Sequence, residues 1–193
     1  MQPAADLPII AFDSQPEWER WLEGHHATAA GVWMKIAKKA SGVQTASYPG
    51  VLDSAICFGW IDGQRRPLDE RFFLQRFTPR RRRSKWSRVN RDKAERLIEE
   101  ARMRPAGLAE VQRAREDGRW QAAYEPQSAA TVPEDLRRAL ERNPHAQAFF
   151  ATLDRQNRYA VLFRIQDAKR PETRARRIEK FIAMLEAGEK LHP

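Results

Sequence analysis

Every strand-like run of this chain falls in its first 80 residues and only helical spacing follows, and that division bounds the folds open to it. In the first 80 residues the runs 32–38, 58–64 and 71–77 read as strands. In the first of them Val32, Met34 and Ile36 share one face, with Trp33 and Lys35 on the other. From Ser87 onward the spacing is helical, over about 87–103, 104–118, 133–142, 146–153, 155–168 and 171–187, punctuated by Pro105, Gly118, Asn143-Pro144 and Gly188. Two earlier helices are signalled. Ser14 or Asp13 caps one that carries Trp18, Trp21 and Leu22 on one face, and Tyr48-Pro49-Gly50 opens another with Val51, Leu52, Ala55 and Ile56. The turn Pro67-Leu68-Asp69-Glu70 is too short for a crossover helix, so the second and third strands are predicted as an antiparallel hairpin. Whether Phe73, Gln75 and Phe77 or Phe72, Leu74 and Arg76 face its core stays open at this level. The plan is α+β: a small antiparallel or mixed sheet with helices in the N-terminal part, followed by a helical C-terminal part. The predicted organisation is an α+β domain over 1–124 with a basic Trp/Arg motif, a linker over 125–132 of low bulk, and a helical module over 133–193.

Charge is distributed as unevenly as periodicity. Residues 65–104 hold 15 Lys and Arg against 6 Asp and Glu, while the rest balances at 20 against 20, so the whole net charge of +9 sits in this block. Its centre is Arg80-Arg81-Arg82-Arg83, set between Thr78-Pro79 and Ser84-Lys85-Trp86-Ser87. A field this concentrated points to an anionic partner, a small molecule or nucleic acid, and the bland alternative is a solvated basic loop.

Several functional classes find no support. No apolar run approaches the roughly 18–20 residues of a membrane-spanning helix. Met1–Asp6 lacks the basic and apolar regions of a signal peptide, and the single cysteine, Cys57, excludes an internal disulfide; both lead to an expectation of a cytoplasmic protein. No Gly-rich phosphate loop, dinucleotide fingerprint or nucleophile elbow occurs, so no cofactor and no catalytic residue is expected. His25, His26, His145 and His192 have no ligand spacing, so no metal is expected. Cys57, flanked by Ile56 and Phe58, reads as a buried hydrophobe rather than a nucleophile. The oligomeric state is not legible.

The candidate ligand-binding residues gather where the hairpin meets the first long helix. Arg76, Arg80, Trp86, Ser87 and Asn90 are expected as contacts, with Ser87 capping the helix and its amides offering an anion site. Period two places Trp60, Asp62 and Gln64 on one strand face as the opposite wall, with Arg76 able to reach Asp62 across the hairpin, as part of the site or as a plain ion pair. Arg174, Arg176 and Arg177 lie on a later helix as a solvated face complementing acids such as Glu172 and Glu179.

The words Cys57–Gln64, Gln75–Arg81 and Ser84–Asn90, and the tail Ala168–Ile178, resemble the YdeI/OmpD-associated family, also labelled bacteriocin-protection proteins, over nearly the whole chain. The resemblance implies a role in tolerance of bacteriocins, antimicrobial peptides or related stress, with no catalytic residue and no cofactor. The combined reading is a cytosolic protein binding an anionic or phosphate-bearing ligand and favours a binder over an enzyme. The alternative is a nucleic-acid-binding regulator using the basic surface of 80–104.

Overall fold

The structure, a computed structural model, describes residues 7–126 and 129–192. The segment 1–6 read for an export signal, and positions 127–128 of the expected linker, lie outside the described residues. The chain divides into two compact units, Met1–Ala123 and Tyr124–Pro193.

The first unit runs β1 (Ile9–Ala11), α1 (Gln15–His25), β2 (Val32–Ala37), a 3-10 turn (Lys39–Ser41), α2 (Tyr48–Cys57), β3 (Trp60–Pro67), β4 (Phe72–Pro79), α3 (Arg88–Glu99) and α4 (Pro105–Glu116). Its sheet has the order β1-β2-β4-β3, with β1 parallel to β2 and the other pairs antiparallel, so the sheet is mixed. The predicted hairpin is β3–β4. Strand β1 escaped the sequence reading because three residues hold too little alternation to register. Strand β3 starts two residues later than predicted, since Phe58-Gly59 form a turn in which Gly59 has φ +75°. It then continues past Gln64 through a bulge at Gly63-Gln64. Buried Gln75 stitches that bulge, its Nε2 donating to the carbonyls of Gly63 (3.0 Å) and Gln64 (3.3 Å).

The register settles the open question about β4. Val32 pairs with Phe77, Met34 with Gln75 and Ile36 with Phe73, so these six side chains share the inner face. Phe72, Leu74 and Arg76 go to the outer face with Trp33 and Lys35. The inner face packs on α1 and α2 through Trp18, whose ring lies 5.7 Å from Phe77 and 6.1 Å, edge-on, from Trp60. Both indoles find acceptors inside: Trp18 Nε1 donates to Val51 O at 3.0 Å and Trp60 Nε1 to His26 O at 3.1 Å.

The second unit contains α5 (Glu134–Glu141), α6 (Pro144–Thr152), α7 (Arg155–Gln166) and α8 (Pro171–Glu186) around Leu136, Phe150, Leu162, Ile165, Phe181 and Leu185. Asp154 caps α7 by accepting from Asn157 N at 2.8 Å. Asn157 is buried and exchanges two hydrogen bonds with the backbone of His192, fastening the chain end. The arginines of α8 use other acids than those expected: Arg174 pairs with Asp135 on α5 at 2.5 Å and Arg177 approaches Asp167 at 3.9 Å, because the helix turns them toward neighbouring elements rather than along its own face. No helix among the described residues is long and apolar enough to cross a membrane.

Gly107 marks a close approach of α4 to α2. It stands against the last carbonyls of α2, where an added Cβ would lie 2.2 Å from Cys57 O and 2.8 Å from Ile56 O. Gly107→Ala is expected to cost about 1–3 kcal/mol in denaturant unfolding, as an overpacked core does. Gly24→Ala, in α1 with nothing within 4 Å of its Cβ, is expected to be neutral or to stabilise by up to about 1 kcal/mol.

Candidate functional site

The junction of β4 and α3 is a packed column rather than an open pocket. Trp86 is 1% exposed. The Arg80 guanidinium carbon lies 3.4 Å from its ring centroid, and Trp120 meets it edge-on at 4.8 Å. Arg115 covers Trp120 at 5.2 Å, and Trp120 Nε1 donates to Glu95 at 3.3 Å. Arg80 is itself 6% exposed; its Nη1 donates to Lys85 O at 3.4 Å and its backbone N to Gly59 O at 3.0 Å. A guanidinium held over an indole is satisfied electrostatically by the ring. Ser87 caps α3 as predicted, its Oγ accepting from Asn90 N at 3.1 Å, and Asn90 is buried.

The wall expected opposite does not face this junction. Trp60 is fully buried in the inner core. Asp62 accepts a 2.7 Å hydrogen bond from the Tyr48 hydroxyl. Burial, and then that bond to a carboxylate, push the Tyr48 phenol well above its ordinary range. Gln64 is exposed in the bulge. The expected cross-strand pair of Asp62 with Arg76 is absent for a geometric reason. Asp62 stands opposite Phe77, and Arg76, one residue earlier, points to the other side of the sheet. The eight residues are thus divided: Arg80, Trp86, Ser87 and Asn90 build the column and its cap, Trp60 and Asp62 belong to the inner face, Gln64 to the bulge, and Arg76 to the outer face.

Much of the basic block is neutralised by acids elsewhere in the chain. Lys93 and Arg96 both bind Asp53, at 2.6 and 2.5 Å, Arg104 binds Glu23 at 3.1 Å, and Arg102 lies 3.8 Å from Glu19. Arg81, Arg82 and Arg83 are exposed in the turn after β4, which Ser84 closes by accepting from Arg81 N at 2.9 Å.

The outer sheet face holds a different set of cations. Arg76 pairs with Trp33, and Leu74 lies between Lys35 and Arg66. Arg66 sits 4.4 Å over the Trp33 ring, and Lys35 and Arg71 lie 4.0 and 5.8 Å from the Phe72 ring. Arg76 Nε has no hydrogen-bond partner. The strand residues directed to this face (Ile9, Ala11, Trp33, Lys35, Ala37, Ile61, Arg66, Phe72, Leu74, Arg76 and Thr78) include no acid. Asp69, in the turn between β3 and β4, is held by the backbone N–H groups of Arg71 and Phe72, both at 2.8 Å; these and the neighbouring lysines keep its carboxyl below the usual range. Ile9 is 58% exposed at its edge. The alternation of Trp33 and Lys35 against Val32, Met34 and Ile36 was the signal for this face, but Arg66 reaches it only through the bulge.

Two clefts adjoin at the C-terminal end of α2. One of about 250 Å³ is lined by Glu19, Cys57, Phe58, Ala101, Arg102 and Arg104, and one of about 310 Å³ by Glu23, His26, Phe58, Arg104, Pro105 and Ala106. Burial pushes the Cys57 thiol up to about 11, which keeps it protonated and a poor nucleophile at neutral pH. Among the described residues no group of three His, Cys, Asp or Glu side chains is placed to hold a metal ion.

Residues 10–110, more than half of the chain, match the model described as a domain of unknown function (DUF8412), and the chain belongs to that family. Residues 129–188 match the model described as "Bacteriocin-protection, YdeI or OmpD-Associated". That is the family the sequence motifs indicated, and the match contains the tail Ala168–Ile178; the words at 57–64, 75–81 and 84–90 fall within the first match. No curated protein and no solved structure matches the chain significantly.

Trp86→Ala is expected to cost about 3–5 kcal/mol, the usual loss for a buried large aromatic, measured by denaturant unfolding. A pocket-wall residue would leave stability nearly unchanged. Cys57 and Tyr48 both hold their protons more tightly folded than unfolded. Their contribution is complete below the unfolded thiol value of about 8.5 and is lost as pH rises. Cys57→Ala should therefore flatten the fall in unfolding midpoint between that value and pH about 11.

Proposed function

We propose that this chain is a non-catalytic binding protein for an anionic ligand, held on the outer face of the sheet, and that it serves tolerance of bacteriocins or antimicrobial peptides. The observation that carries the reading is charge complementarity. Lys35, Arg66 and Arg76 surround Trp33 and Leu74 on a face to which no strand residue contributes an acid. Of the residues expected from sequence, Arg76 is the one that belongs to this proposed site. The tolerance role rests on the description of the family matched over 129–188. A chain of net charge +9 repels a cationic peptide, so the reading places an anion between the protein and any such agent. The free, buried Cys57 supports a reducing, cytoplasmic setting. The surface of 80–104 has less to offer a ligand, since Lys93, Arg96, Arg102 and Arg104 already face carboxylates.

Titration with inorganic polyphosphate tests the reading. Affinity is expected to fall steeply with added salt. The double substitution Lys35→Glu/Arg66→Glu is expected to abolish binding, while replacing Arg81, Arg82 and Arg83 together by Ala weakens it far less. The opposite ranking would move the site to the turn after β4.

A further inference from the structure

We infer that the occupant of the outer sheet face is single-stranded nucleic acid, a conclusion that rests on the anion-binding reading and names its ligand. Three observations separate this face from a merely basic surface. First, its cations are laid over rings: Arg66 over Trp33 at 4.4 Å, and Lys35 and Arg71 over Phe72 at 4.0 and 5.8 Å. A flat guanidinium backed by an indole is a platform on which an unstacked base can lie. Second, the register sets these platforms apart along β4, because Trp33 on β2 stands opposite Arg76 and Arg66 on β3 opposite Leu74, while Phe72 lies at the start of β4, two residues before Leu74 and four before Arg76. A chain crossing them has room for about two or three splayed bases, as sheet-borne recognition of single strands requires. Third, Arg76 stands opposite Trp33, so a second arginine borders the same platform and adds a cation beside it.

The shape of the ligand follows from the same geometry. A duplex hides its base faces and offers phosphates alone, so it gains nothing from the ring-backed cations. A flat sheet also does not fit a groove. Polyphosphate and other polyanions without bases satisfy Lys35, Arg71 and Arg76 but leave the Arg66–Trp33 platform unused. Free nucleotides cover one platform and gain only part of the contact. The face therefore distinguishes a base-bearing flexible strand from every other polyanion by stacking, with little dependence on base identity.

The experiment uses the full chain and fluorescence anisotropy of a short labelled single-stranded oligonucleotide, with an abasic strand of equal length, a duplex and inorganic polyphosphate as competitors. The single strand is expected to bind at least about fivefold more tightly than the abasic strand or the duplex, the minimum that one stacked base contributes. Arg66→Lys keeps the charge and removes the plane. It is expected to weaken the oligonucleotide about tenfold, the loss of one stacked base, and to leave polyphosphate affinity unchanged. Because Arg66 is exposed, this variant folds as the parent does. Equal affinity for the abasic and base-bearing strands, tighter binding of the duplex, or an Arg66→Lys variant that binds the oligonucleotide as before would each overturn the inference while leaving the anion-binding reading in place. Failure of every polyanion to bind overturns both.

Discussion

The two-sided alternation of β4 is the constraint on which the first unit depends. As an interior strand it pairs with both β2 and β3, so its register fixes theirs. Phe73, Gln75 and Phe77 close the inner face over Trp18 and Trp60, and Phe72, Leu74 and Arg76 are sent outward. A slip of one residue would drive Arg76 into an aromatic core and expel Phe77, which makes the register costly to change. Gln75 is the one polar side chain on the inward set, and the bulge of β3 supplies the carbonyls it needs.

This arrangement divides the arginines into three kinds. Arg80 is structural, stacked on Trp86 and buried with it. Those of α3 and its C-terminal end are tied to carboxylates of α1 and α2, where they help hold helices together. Exposed ion pairs of this kind contribute little each, but they do spend the surplus field of the block. The cations of the outer face and of the turn 81–83 remain as the ones whose charge is directed outward. A count of charges along the sequence sees one block; the fold resolves it into a buried stack, a set of ion pairs and a sheet face whose strand residues include no acid.

The candidate site illustrates why adjacent motifs need not form one site. Trp60 and Trp86 looked alike as aromatic walls in polar company. Both are sealed, because a large indole between an amphipathic strand and a helix start recovers more free energy by burial than by bordering a cleft. Trp33 was passed over because it sat on the strand's second face, yet it is the indole that keeps a cation at the surface. The bulge at Gly63-Gln64 moved Arg66 onto the outer face, and no feature of the sequence announces a bulge of this kind before the partner strand is known.

By itself the sequence determined the α+β plan, the hairpin, the helices with their Ser87 and Pro-containing starts, and the family indicated by the C-terminal tail, because periodicity, capping and turn chemistry are local and act within a few residues. It also located the charge surplus, which is a matter of counting. Only the tertiary structure decided which face of β4 is inside, that β1 joins the sheet in parallel, which acids neutralise α3, and that Asp62 and Arg76 lie on opposite sides. Those outcomes depend on which distant segments pair and in what register, and a single inserted residue in one strand is enough to reverse the side to which every later side chain points.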